Sequence, residues 1–404
     1  MSITPLDNFE KVKLVFPKDD NGRTIFLYRL QDCRAVSCFY PDVIFESEGK
    51  FYNPIDERIM SLNVSQEQNV ERPAFKHNFV DTQPYFLFCY NTDNYFHFIY
   101  DTLPYLITFL KFRKELNLKL LMNFPHVSAA SFYRFVVEFL ALLGITHNDW
   151  EIINRESLYR NVYFSSSFTH GEDSNVAPRE EIFDIYRDLA ISSLYFDSET
   201  PKKIYVSRQS WKHGDRSNMG TDYTSRRSLE NEARLVDFLQ SNGFTEVFCE
   251  KLSTLDKLAY FRKATHVVGA LGGGMVNCVF SKPDAKVLGI ASPCFLDVNR
   301  RFLHCLSRTK SSIFTKTAHI SDGEFQLYTR VKVGDIIGEI IEVDGPRLTI
   351  AYTGEKVAGW NAARDFKMIT VSADECAKLD EGLNSPWKID MKAFKEFYNG
   401  NYLT

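Results

Sequence analysis

Three groups of residues in this chain have types and spacings suited to chemistry. In Asn94-Tyr-Phe-His97-Phe-Ile-Tyr-Asp101, His97 and Asp101 stand four apart, so on a helix they share one face, with Asn94 at the helix start. A carboxylate beside an imidazole can remove a proton from an attacking hydroxyl. A plainer reading has Asn94 capping the helix while His97 and Asp101 pair on a solvated face. The second group is Arg208, which ends the run Ile204-Tyr-Val-Ser207, with Arg226 and Arg227 further on. From a strand end a guanidinium can fork onto a phosphate, although ordinary surface arginines would look the same. The third group is Val267-Val-Gly-Ala-Leu-Gly272-Gly273-Gly274-Met-Val-Asn277. Three consecutive glycines after a β-branched strand let backbone approach a ligand, and a helix starting there would turn its positive end to a diphosphate. A tight strand-to-helix turn is the alternative.

The elements that must position these groups read as alternating strands and helices. Pro84 to Tyr90 suits a buried strand, followed by a helix from Tyr95 to Leu110 behind the Asn91 to Asn94 capping cluster. Lys119 to Met122, Trp150 to Asn154 and Asn161 to Phe164 read as strands, with a helix over 128–143 between the first two. Lys203 to Val287 repeats the pattern as strand, arginine-bearing loop, helix, strand, helix, strand, with the glycine loop after Val268. The polar stretch Gln209 to Thr224 could close over a ligand there. Such alternation is the mark of an α/β fold with parallel sheets. We expect an irregular N-terminal layer over 1–80, α/β domains over 81–200 and 201–322, a small β-barrel-like module over 323–371 and a helical tail over 372–404.

Composition narrows the function. The chain has 404 residues, 44% apolar and 25% charged, more than a single core usually holds. A net charge of −4 gives no electrostatic reason to expect nucleic acid. Aromatics reach 14%, with 34 Phe, which points to a Phe-rich core. The eight cysteines show no Cys-x-x-Cys and fall mostly in apolar runs, as reduced core thiols do. No leader-like or membrane-spanning run is evident, so a cytoplasmic location is expected, with peripheral contact at the inner membrane face left open. Neither Walker A nor Gly-x-Gly-x-x-Gly occurs. There is no Asp-x-Asp and no histidine pair at ligand spacing, so no metal is expected and arginines would carry the charge of a leaving group.

In this order, the three groups resemble glycosyltransferase family 61, which includes EGF-domain and dystroglycan O-GlcNAc transferases, plant β-xylosyltransferases and bacterial capsular polysaccharide enzymes. The resemblance runs from Pro84 to Leu288. It rests on Asn94, His97 and Asp101 before Leu103-Pro104; Ser207-Arg208; Arg227 ahead of Asn231-Glu232; Gly243-Phe244; and Val268-Gly269 through Gly272, Gly274 and Asn277, then Phe280 and Pro283. It implies a GT-B-like pair of Rossmann-like domains and metal-independent, inverting transfer of a sugar from a UDP-sugar to a glycan hydroxyl. By the same resemblance Asp101 is the general base, with His97 and Asn94 shaping its site. Arg208, Arg227 and the loop of Gly272, Gly273 and Gly274 hold the diphosphate, and Ser207 and Arg226 are further nucleotide-sugar-binding candidates. Asn231, Glu232 and Asn277 organise the donor pocket, and the backbone around Cys249, from Val247 to Glu250, meets the nucleobase. The family's usual His-Gly is Leu271-Gly272 here, and its frequent Glu after the next strand is Gly289. Two rival readings share the scaffold: a pyruvyl-type transferase acting on polysaccharide, and a non-catalytic glycan- or partner-binding member.

Overall fold

The computed structural model describes residues 8–39, 42–48, 50–52, 79–92, 94–124, 131–169, 176–192, 199–209, 227–293, 295–320, 325–326, 329–352, 367–380 and 385–402. The chain is a mixed α/β protein that divides into two compact units. The first comprises residues 1–198, 215–221 and 252–259, and the second the remainder.

The first unit is built on a nine-stranded mixed sheet. Its strands are β1 (Phe9–Phe16), β2 (Ile25–Phe39), β3 (Asp42–Ser47), β4 (Lys50–Tyr52), β5 (Phe79–Asp81), β6 (Tyr85–Leu87), β7 (Lys119–Met122), β8 (Trp150–Ile152) and β9 (Ser157–Ser165). The order is β4-β3-β2-β9-β6-β7-β8, with β1 on β2 and β5 on β9. Strands β9, β6, β7 and β8 run parallel, whereas β2 joins β9 antiparallel. The N-terminal runs are therefore members of the sheet rather than an irregular layer. Patterning explains the split: β6 and most of β7 are buried without interruption, as strands covered on both faces are. By contrast, β2 alternates, with Ile25, Leu27, Leu30, Cys33 and Ala35 fully buried and half-exposed residues between most of them. Phe86, Phe98, Phe109, Phe135 and Phe139 lie wholly inside, as a Phe-rich core requires.

The second unit holds a parallel sheet of β10 (Lys203–Val206), β11 (Thr245–Val247), β12 (His266–Ala270), β13 (Lys286–Ile290) and β14 (Lys310–Phe314). Its order is β11-β10-β12-β13-β14. The apolar runs β10, β12 and β13 are interior, and β11 and β14, with exposed Thr245, Lys310 and Ser311, are the edges. Numbered within the unit, this is the 2-1-3-4-5 order of doubly wound sheets. Such sheets bind ligands beyond the carboxyl ends of the two strands where the order reverses, here β10 and β12.

Beyond β14 the chain forms β15 (Thr317–His319) and then a separate antiparallel sheet of β16 (Arg330–Val333), β17 (Ile336–Asp344), β18 (Arg347–Tyr352), β19 (Lys367–Ser372) and β20 (Ala377–Asp380). That sheet has its own core of Val331, Ile340, Leu348 and Ile350. It runs past residue 372, and the tail expected to be helical contains two strands before its helix, Met391–Phe397. The second of these, β21 (Trp387–Ile389), pairs antiparallel with β15. The Ile320 N–H donates to the Pro386 carbonyl at 2.9 Å, so the ends of the intervening segment meet. Among the described residues, Cys33, Cys89, Cys249, Cys278 and Cys305 are buried and Cys376 is half-buried.

A segment whose ends already touch can be removed at little cost in chain closure. Replacing 321–384 by a short Gly-Ser turn should leave a cooperative thermal transition for the parallel sheet. Loss of that transition on heating would show the antiparallel module to be integral to it.

Candidate active site

In the first unit the acid and the imidazole are joined. Asn94 caps the helix as its position suggests, its Oδ1 accepting from the N–H groups of Phe96 at 3.0 Å and His97 at 3.3 Å. The helix expected to run unbroken to Leu110 instead has α geometry over Tyr95–His97, a π-helical turn over Phe98–Thr102 and α geometry again over Tyr105–Phe112. Leu103 N–H reaches back five residues to Phe98 O at 2.8 Å, and the Tyr186 hydroxyl donates to the bypassed Ile99 carbonyl at 2.6 Å. Pro104, which has no N–H, follows directly. Turns of this kind recur at functional sites.

His97 Nδ1 lies 2.6 Å from Asp101 Oδ2, and the Thr169 hydroxyl donates to Asp101 Oδ1 at 3.0 Å. The pair does form, yet not on a solvated face: the Asp101 side chain is fully buried, and the His97 ring is 30% exposed. The Asp101 carboxylate thus faces the histidine and Thr169 rather than solvent. Thr169 is itself held from outside the helix. Arg23 donates from Nη2 to the Thr169 and Val176 carbonyls, at 3.1 and 3.2 Å, and from Nε to the Ala177 carbonyl at 3.2 Å. Arg179 donates to the Arg23 carbonyl at 2.6 Å and forks onto Glu181 at 2.7 and 2.9 Å. That fork holds the Glu181 carboxyl below its usual range.

In the second unit the expected residues gather at the carboxyl ends of β10 and β12. Glu232, 2% exposed, opens the helix Glu232–Ser241. Its Oε1 accepts from the Tyr205 hydroxyl at 2.7 Å, the Ser207 hydroxyl at 3.1 Å and the Arg208 N–H at 2.8 Å. Burial pushes the Tyr205 phenol well up, helped by that carboxylate. Burial also pulls the Arg208 guanidinium down, and the Glu232 charge opposes it. The Arg208 guanidinium lies on the glycine loop, since a Cβ on Gly272 would meet Nη1 at 2.5 Å. A Cβ on Gly274 would meet Val206 Cγ1 at 2.7 Å and Cys249 Sγ at 3.6 Å, whereas one on Gly273 would meet nothing within 4 Å. Gly274 is thus kept small by the stiff Val206 side chain, Gly272 is covered by the flexible end of Arg208, and of the three Gly273 alone faces open space. The element after the loop, Gly273–Phe280, is a 3-10 helix rather than an α-helix, and Asn277 inside it is fully buried, donating to Gly274 O at 2.9 Å. Cys249 is buried against the same carbonyl, its thiol 4.0 Å away.

Two further expected donor residues are held by Phe295 and the C-terminal strand β21. Arg227 has φ +55°, its guanidinium stacks on Phe295 at 4.4 Å, and its carbonyl accepts from the Trp387 indole N–H at 2.9 Å. Asn231 pairs with the backbone of Ile389, donating to its carbonyl at 2.8 Å and accepting from its N–H at 3.0 Å. Asn231 is thus bound to a C-terminal strand rather than presented to a ligand. Arg226 and most of the stretch from Gln209 to Thr224 lie outside the described residues. Leu271 and Gly289 prove to be one contact, since a Cβ at 289 would meet Leu271 Cδ2 at 2.8 Å. Leu271 is 2% exposed, so this departure sits in the core. Thr169, Tyr186 and Trp387 were not foreseen from the sequence.

Residues 95–288 match the family model described as Glycosyltransferase 61, a segment that begins one residue after the Asn94 cap and ends within β13. The match supports assignment of that segment, just under half of the chain, to glycosyltransferase family 61. His97, Asp101 and Thr169 lie within it, as do Arg208 and Glu232, and Asn94 adjoins it, whereas Arg23, Trp387 and Ile389 lie outside. No curated protein matches the chain. The family match supports a glycosyltransferase acting on glycans, in general terms with a sugar donor and a glycan acceptor.

Two substitutions separate packing from ligand approach in this family 61 site. Gly274→Ala should cost about 1–3 kcal/mol by crowding Val206, and Gly273→Ala should leave the melting temperature unchanged. In the first unit, Thr169→Val should cost about 1.5–3 kcal/mol, the usual worth of a hydrogen bond to a charged group. Equilibrium denaturation reads all three.

Proposed function

We propose that the enzyme is an inverting, metal-independent glycosyltransferase that uses a UDP-sugar. The second unit would take the donor and the first would activate the acceptor hydroxyl. The observation that carries the donor half is the meeting of Arg208 with the glycine loop at the strand ends where the sheet order reverses. Arg208 and the loop amides would stabilise the departing diphosphate, the electrostatic part of the catalysis. Arg227, stacked on Phe295 beyond the carboxyl end of β13, supports the same assignment. The sheet thus offers positive groups at one edge, which suits a nucleotide diphosphate.

For the acceptor half, the geometry favours His97 as the proton acceptor, with Asp101 behind it. Asp101 accepts at Nδ1, fixing the tautomer that leaves Nε2 with its lone pair, and stabilises the imidazolium formed when the hydroxyl gives up its proton. The acceptor oxygen then attacks C1 from the face opposite the nucleotide. A glycan or lipid-linked saccharide of a capsule or similar surface polysaccharide would be the acceptor, and a cytoplasmic location at the inner membrane face fits that substrate.

A screen of UDP-, GDP- and CMP-sugars for stabilisation and hydrolysis tests the reading. UDP at about 100 times its Kd should stabilise the protein by about 2.7 kcal/mol. His97→Ala should lower kcat by roughly 10²- to 10⁴-fold with the UDP Kd unchanged, and Asp101→Asn should act in the same direction. EDTA should leave the rate as it was. Full transfer by His97→Ala would refute the base, and a rate abolished by chelator and restored by a divalent ion would refute the metal-independent step.

A further inference from the structure

We propose that the C-terminal strand β21 is part of the donor site, with Trp387 as a positioning residue for the arginine-bearing segment Arg227–Glu232. Trp387 is 1% exposed and joins that segment at three points. Its indole N–H donates to Arg227 O at 2.9 Å, its backbone N–H to Ser228 O at 3.0 Å, and its carbonyl accepts from Glu230 N–H at 2.9 Å. Two residues on, Ile389 pairs through both backbone groups with the Asn231 amide. The segment so held ends at Glu232, whose carboxylate orders the Ser207-Arg208 turn. One strand therefore fixes the carbonyl of one arginine directly and, through a buried acid, the backbone of another.

Arg227 makes the dependence specific. Its φ of +55° is a conformation that side-chain-bearing residues adopt only when their surroundings impose it. The Trp387 indole holds its carbonyl on one side, and Phe295 underlies its guanidinium on the other. Without the indole N–H the carbonyl loses this bond, and the peptide is freer to turn the guanidinium off Phe295. The strand itself is independently anchored, because β15 pairs along its whole length and the neighbouring Phe394, Tyr398 and Tyr402 lie in the core of the unit. The Tyr402 hydroxyl shares its one proton between the Val267 and Lys286 carbonyls, at 3.0 and 2.9 Å, tying the C-terminal helix to β12 and β13. The helix that follows β21 is thus a firm base for the clasp.

The inference rests on the donor reading for its functional half only, so it is tested by two measurements. Trp387→Phe keeps an aromatic ring and removes the N–H. Amide hydrogen exchange without nucleotide should quicken at Ser228 to Glu232 and at Arg208 in this variant. Isothermal titration with UDP should show affinity falling roughly five- to tenfold, with kcat changed less than the donor KM. Unaltered exchange would overturn the clasp whatever the nucleotide does. Faster exchange with unaltered UDP affinity would overturn the positioning role, and a wild-type protein that binds no UDP would sink the donor reading while exchange still judged the clasp. Should Trp387→Phe fail to fold, Asn231→Asp, which sets a carboxylate against the Ile389 carbonyl, provides the same two readings.

Discussion

A single carboxylate oxygen organises the second unit. Glu232 Oε1 receives two hydroxyls and one backbone N–H while almost none of the residue is exposed. An ionised carboxylate removed from water is costly unless its lone pairs are satisfied, and removing one partner leaves the charge uncompensated. The end of β10 is therefore committed to one conformation. Glu232 also stands in the first turn of its helix, where the helix dipole favours an acid. Strand end, helix start and arginine backbone are fixed by the same group, and the glycine loop must then accommodate the guanidinium that Arg208 lays over Gly272.

The first unit applies the same logic to a different side chain. Asp101 is buried with a bond on each oxygen, and the group it holds, His97, is the one that reaches solvent. The π-helical turn makes this possible: its displaced carbonyl at Ile99 is taken up by Tyr186. In both units an acid is withdrawn from the surface and a base or cation is presented by it. Buried acids of this kind act through their neighbours, which is why the reacting group is read as the imidazole.

Local spacing carried most of what was legible in the sequence. The bounds of Lys119–Met122 follow from its apolar run, the interior strands of the second unit from β-branched residues leading into glycine, and the His97–Asp101 pair from a separation of four. The break in the helix had a visible cause in Pro104, but a π turn needs Tyr186, 87 residues from the carbonyl it serves. Thr169 is 68 residues from Asp101, and nothing in either sequence neighbourhood announces the bond. The N-terminal layer looked irregular because β2, on which β1 and β3 pair, finds its own partner β9 more than a hundred residues away. Asn231 shows the converse error: an amide beside an acid and an arginine suggests a ligand contact, yet its geometry is that of one extra residue pairing with a strand.

That pairing explains how a short segment outside the regular strands can carry a disfavoured backbone. Leu229 is the only residue among those described from Arg227 to Asn231 that bridges to Trp387 as a strand would. On either side the regular ladder is replaced by side chains, the Trp387 indole before it and the Asn231 amide after it. A residue at positive φ costs of order 1–3 kcal/mol, comparable to one or two net hydrogen bonds, about 1 kcal/mol each. The indole bond and the Asn231 pair together are enough to offset it. A sheet edge could have supplied the same bonds only by straightening Arg227, which would carry its guanidinium away from Phe295. Side-chain pairing leaves the backbone bent and the arginine over the ring, so the positive charge stays at the carboxyl edge of the sheet.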